Sequence, residues 1–165
     1  MRAASIGTPG LFVPVAPYRT YDSRESEAGA LLSLANDAGS GLALNILSVE
    51  EDGERVLAIP ETATAITYNV TIVNQTSSGF LTVASVSQPP AAAIASSTVN
   101  WNSAGGPIAN GSAVVVGEFD GEPGFVGIVV GGPVDASTDF IIDVTGYYVA
   151  GPRRRRPSRL SSLRR

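Results

Sequence analysis

Residues 63–73 read Ala63-Thr64-Ala65-Ile66-Thr67-Tyr68-Asn69-Val70-Thr71-Ile72-Val73, and their alternation decides the fold class. Ile66, Tyr68, Val70 and Ile72 fall on one side of an extended chain, with Ala65, Thr67, Asn69 and Thr71 on the other. A helix of the same residues would scatter the four large apolar side chains around its circumference. Threonine on the outer side favours the extended backbone through its β-branch and stays wettable. The segment is a half-buried strand.

Outward from it the same pattern recurs in short runs broken by Gly, Pro, Asn and Ser. Strands are expected at Leu11–Val15, Tyr18–Asp22, Leu42–Val49, Arg55–Ile59, Phe80–Ser87, Thr98–Trp101, Ala113–Phe119, Phe125–Val130 and Asp139–Val149. The last run is apolar on both faces, Phe140, Ile142 and Val144 against Ile141, Tyr147 and Val149, as a central strand covered on both sides would be. Ala28, Leu31, Leu32 and Ala35 recur at helical spacing within Glu25–Asn36, with Ser23 placed to cap; that segment is either a helix or a loop. The stretch from Gln88 to Ser97, with Pro89-Pro90, reads as an extended crossover between sheets. The pattern predicts an all-β, antiparallel β-sandwich (jelly-roll-like) of about ten strands. Residues 1–10 form an N-terminal arm, 11–150 the sandwich domain and 151–165 a basic tail.

Charge divides the chain in two. Only 16% of its 165 residues are charged, against about 25% in ordinary globular proteins. All 11 basic residues are arginines, and seven of them lie between Arg153 and Arg165. Before residue 153, four arginines face 15 acidic residues, a net charge of −11, while the tail carries +7. Electrostatic arguments must treat the two parts separately.

Histidine, cysteine and lysine are absent, which removes a Ser-His-Asp triad, a thiol nucleophile and a Schiff base. Glycoside chemistry by two carboxylates, with Asp22 and Asp143 as the pair, would need a wide cleft lined by aromatics. The chain has one tryptophan, Trp101, better suited to a core or interface. The expectation is a protein that is not an enzyme and takes no cofactor and no metal. No run reaches the roughly 18 apolar residues of a membrane span. The first ten residues lack the apolar run of a secretory signal, so a chain starting natively at Met1 is made in the cytoplasm.

The run Phe12-Val13-Pro14-Val15-Ala16-Pro17-Tyr18-Arg19-Thr20-Tyr21-Asp22-Ser23-Arg24 resembles the F-x-P-x-x-P-x-R-x-x-D-[ST]-R start of a β-rich domain. That domain is common in surface proteins of high-GC Gram-positive bacteria (actinobacteria) and in virion proteins of their phages. Tyr68-Asn69-Val70-Thr71, Gly79-Phe80-Leu81-Thr82-Val83, Ser97-Thr98-Val99-Asn100-Trp101, Ala109-Asn110 and Asp139–Tyr148 agree with the family in order, so the resemblance covers residues 11–149. It implies a fold and a setting more than a reaction. Bacterial members tend to carry a signal peptide, tandem copies or an attached enzyme. A single copy with a basic tail fits the virion setting better, and a bacterial cell surface is the alternative.

Two groups of residues are singled out. Asp22, Arg24, Asn69, Asn100, Asn110 and Asp143 are polar residues in apolar runs, read as a structural network with Arg24 paired to Asp22 or Asp143; a Ca²⁺ or ligand site is the competing reading. An Arg24–carboxylate bond would pin the N-terminal segment to the last strand. Arg153, Arg154, Arg155, Arg156, Arg159, Leu160, Leu163, Arg164 and Arg165 form the second group, a docking arm whose guanidinium groups pair with carboxylates and whose leucines anchor. Nucleic acid is disfavoured as partner because the acidic body repels phosphates. The expected partners are a major capsid or tail lattice and further copies of the chain, a trimer among the arrangements; a host-surface glycan belongs to the cell-surface alternative.

Overall fold

Residues 10–37, 39–86 and 96–151 are described in a computed structural model. Twelve strands run in chain order: β1 (Gly10–Asp22), β2 (Leu31–Leu32), β3 (Leu42–Asn45), β4 (Ser48–Glu51), β5 (Glu54–Leu57), β6 (Ala63–Thr76), β7 (Gly79–Ser85), β8 (Val99–Trp101), β9 (Ile108–Val115), β10 (Gly117–Phe119), β11 (Glu122–Gly131) and β12 (Ser137–Ala150). One sheet has the order β1-β12-β6-β9, with β2 added on β12. The other has the order β10-β11-β7-β8, with β3 added on β11, and β4-β5 is a separate hairpin. Every paired strand is antiparallel. Without the short β2, β4, β5 and β10, the sheets read first-eighth-third-sixth and second-seventh-fourth-fifth, the strand order of a jelly roll.

The expected alternation of β6 fixes the core. Ile66, Tyr68, Val70 and Ile72 are buried and face Phe140, Ile142 and Val144 of β12 in the same layer. Leu81 of β7, Val126, Ile128 and Val130 of β11 and Trp101 of β8 close the core from the second sheet. Each of these side chains contributes about 1.5–3 kcal/mol by leaving water. Trp101 is 3% exposed, a core residue whose indole N–H donates to the Thr76 carbonyl at 3.4 Å. On the outer face of β12, Ile141 is buried while Asp143 and Thr145 stay half-buried, so coverage there is partial.

Several expected elements are redrawn. The helical spacing of Glu25–Asn36 gives no helix: residues 23–29 turn, Gly29 takes φ 62°, and Leu31–Leu32 pair with Thr138 and Ser137 of β12. Pairing with an existing sheet outweighs a weak local helical preference. The two expected strands before Asp22 are one, β1, which crosses Pro14 and Pro17 with register shifts between Pro14 and Tyr18 and between Arg19 and Tyr21. An edge position tolerates both prolines. The expected Ala113–Phe119 strand splits at Val116, where the chain passes from one sheet to the other. The Pro89-Pro90 crossover lies mostly outside the described residues, as does the tail beyond Gly151.

Candidate functional site

The polar residues of the N-terminal motif assemble where β1 meets β12. Asp22 is 6% exposed and accepts from Arg24 twice, Nε to Oδ1 at 2.8 Å and Nη2 to Oδ2 at 2.5 Å, with the Arg24 backbone N–H at 3.2 Å. The Arg24 guanidinium holds the Asp22 carboxyl below its ordinary value, a lowering that burial partly opposes. Arg24 therefore pairs with its near neighbour. The bond across to the last strand is made by Arg19, whose Nε meets Asp143 Oδ1 at 3.1 Å while Nη1 reaches Asp22 Oδ2 at 3.4 Å.

Ser23 is the second clamp. Its N–H donates to the Phe140 carbonyl at 3.0 Å, and its Oγ accepts from the Phe140 N–H at 2.9 Å and donates to Asp139 Oδ1 at 2.7 Å. Asn74 of β6 binds the other Asp139 oxygen at 2.8 Å. At the far end of β1, the Phe12 ring lies over Gly146, where a Cβ would fall 2.5 Å from the ring. The two motif segments thus hold one another, with their charges internally paired.

Asn69 sits opposite Asp143 on this face and donates to Thr71 Oγ1 at 3.1 Å. Asn100 and Asn110 stand elsewhere and are exposed, bonded to Ser97 Oγ at 2.8 Å and to the Thr98 carbonyl at 2.7 Å. The six residues therefore form two separate groups, one at β1–β12–β6 and one beside Thr98. Among the described residues, no group of three or more acidic side chains is placed to hold a metal ion. The one buried side-chain polar atom without a partner there is Gln75 Oε1.

Sequence reasoning missed an acidic end. The β4–β5 and β10–β11 hairpins turn through Asp52-Gly53 (φ 51° and 79°) and Asp120-Gly121 (φ 52° and 83°), the two positive φ angles of a type I′ turn. Glu51, Asp52, Glu54, Glu118, Asp120 and Glu122 flank these turns and are exposed. A cleft of about 310 Å³ between the hairpins is lined by Leu47, Arg55, Leu57, Glu61 and Glu122 among others, with Arg55 Nε on Ser48 Oγ at 2.6 Å. β12 ends next to this region: Val149 pairs with Ala63, two residues after Glu61. Arg153, Arg154, Arg155, Arg156, Arg159, Leu160, Leu163, Arg164 and Arg165, the residues of the expected docking arm, lie outside the described residues, the last of which is Gly151.

The arrangement offers carboxylates, one arginine and an open polar cleft, suited to binding a cationic segment. Compared with protein-family models, curated proteins and solved structures, the chain matches none.

Proposed function

We propose that the chain is a non-enzymatic structural protein of a virion, a capsid-decoration, minor capsid or tail component of an actinobacterial phage, that docks through its arginine-rich tail. The observation that supports this reading is the acidic end at which the last strand finishes. The sandwich turns two acidic hairpins toward the end where β12 finishes, and seven arginines follow in the chain. Copies around a symmetry axis would then exchange arms, each arm meeting the acidic hairpins of a neighbour, or dock them on an acidic lattice. Bidentate arginine–carboxylate pairing gives such contacts geometry as well as charge. The motif residues support a structural role, since Arg19, Asp22, Arg24 and Asp143 are occupied with one another. Jelly rolls serve capsid and lectin domains alike, so the architecture is compatible with the reading without selecting it.

Mass spectrometry of purified virions against the secreted fraction of the source tests the proposal. The intact protein is expected in virions, and deleting residues 153–165 is expected to abolish its incorporation. Absence from virions together with retention of the isolated domain on cell walls or polysaccharide would overturn it in favour of a cell-surface adhesion or glycan-binding module.

A further inference from the structure

The two edges of the β1-β12-β6-β9 sheet are built differently. β1 carries Pro14, Pro17, two register shifts and Arg19, the devices that keep an edge from pairing with a stranger. β9 carries none of them. It runs Ile108-Ala109-Asn110-Gly111-Ser112-Ala113-Val114-Val115 without proline, charge or bulge, and its register with β6 is unbroken. Seven of its eight residues are exposed, and among the described residues β6 is its only strand partner. The remaining sheet edges are short by comparison, β8 and β10 at three residues and β3 at four.

Hydrogen-bond parity shows what that edge presents. The Val116 N–H donates to the Thr64 carbonyl at 3.2 Å, and the register then turns the backbone of Ile108, Asn110, Ser112 and Val114 toward β6. Ala109, Gly111, Ala113 and Val115 therefore point their N–H and C=O groups out of the sheet. Their own side chains are small at three of the four positions, which permits close approach.

Charge selects the partner. From Thr62 to Gly117 the chain contains no Asp, Glu, Lys or Arg, although the residues before 153 sum to −11. β6, β7, β8 and β9 all come from this neutral span, so this flank is where two copies meet with least repulsion.

We propose that β9 is an assembly edge, on which two copies of this chain join antiparallel about a twofold axis through Ser112 to make one continuous sheet. In this register Ala109 pairs with Val115 of the second copy and Gly111 with Ala113, so all four outward residues are satisfied. A shift of two residues one way sets Val115 against Pro107, which has no N–H. The opposite shift sets Ala109 against Gly117, which already pairs with Phe125 in the other sheet. An odd shift opposes outward residues with inward ones. The Ser112 register also covers Ile108, 38% exposed, against Val116 of the second copy, and Val115, 61% exposed, against Ala109.

The chain's lack of cysteine makes the register directly testable in the full-length protein. Ser112 faces itself across the axis as a non-hydrogen-bonded pair, with Cα atoms about 4.5 Å apart, within disulfide reach. Under a glutathione redox buffer, Ser112→Cys is expected to form covalent dimer at least about tenfold faster than Asn110→Cys, which faces Val114 of the second copy. Sedimentation of the wild type is expected to show a dimer that persists in about 0.5 M salt, where tail-to-acid contacts are screened. Ala113→Lys, at an exposed site, is expected to give a monomer with an unchanged circular dichroism spectrum and a melting temperature that no longer depends on protein concentration. A wild type that is monomeric, equal crosslinking of the two cysteine variants, or an intact Ala113→Lys dimer overturns the proposal.

Discussion

Replacing Ser23 by alanine removes one oxygen and leaves two groups without their partner. The Phe140 N–H is buried and bonded to Ser23 Oγ at 2.9 Å, so in Ser23→Ala it has no acceptor at that position. Asp139 loses a donor at 2.7 Å, a hydrogen bond to a charged acceptor. An orphaned buried donor costs about 1–3 kcal/mol and a bond to a charged group is worth about 1.5–3 kcal/mol. Asn74 still serves the other Asp139 oxygen, and the residue is only half-buried, so the second contribution falls near its lower bound. A total of about 3 kcal/mol follows, and urea denaturation followed by circular dichroism measures it as a midpoint lowered by about 1–2 M. In a thermal scan the same loss is about 6–12 °C. Arg24→Ala is the comparison, because its guanidinium side chain is 44% exposed and its backbone N–H, which the substitution keeps, still serves Asp22. Its effect is expected to be the smaller of the two. A Ser23→Ala loss under about 0.5 kcal/mol, or an Arg24→Ala loss that equals or exceeds it, refutes the reasoning.

Further outcomes follow from the same contacts. Because the folded state lowers the Asp22 pKa from 3.8, its contribution is present above that value and lost as the pH falls through the folded value; Asp22→Asn flattens this acid limb in pH-dependent unfolding. Burial pushes the Tyr18 phenol, which donates to the Ile46 carbonyl at 3.0 Å, up to about 12. Its contribution is therefore full below pH 10 and lost as the pH rises toward 12, and Tyr18→Phe weakens that alkaline dependence. With no histidine, stability is expected to change little between about pH 5 and 8. Gly79→Ala places a Cβ 2.5 Å from the buried Trp101 ring and 2.9 Å from the Gly131 carbonyl, and is expected to cost about 1–3 kcal/mol in urea titration.

Those sites also show what could be read in advance. β6 and β12 were legible because one face of each is buried and the residue types alternate or saturate accordingly. β9 was not, since nearly every residue in it is exposed and Ile-Ala-Asn-Gly-Ser carries no period to detect. The false helical signal at residues 25–36 came from Leu31 and Leu32, which are apolar because they pair with β12 and pack there, and Ser23 spends its hydroxyl on Phe140 instead of a helix end. The acidic hairpins had a usable signal, Asp-Gly at 52–53 and 120–121 between strand-like runs. The polar network was legible as residue types but not as pairs. Arg19 stood in the quoted motif, yet only the register of β1 on β12 brings it to Asp143, 124 residues away.

That same distance has a kinetic side. The first long strand to be synthesised pairs only with the last, and β6, in the middle of the chain, has β9 for one edge but waits for β12 on the other. Such non-local closure places this chain among slow folders, with long exposure of incomplete sheets. During that interval β1 is an unpaired ribbon bearing Leu11, Phe12 and Val13, a hazard in a crowded cell. Pro14 and Pro17 then serve the nascent chain as well as the finished one: they make the waiting strand a poor template for its neighbours until β12 arrives.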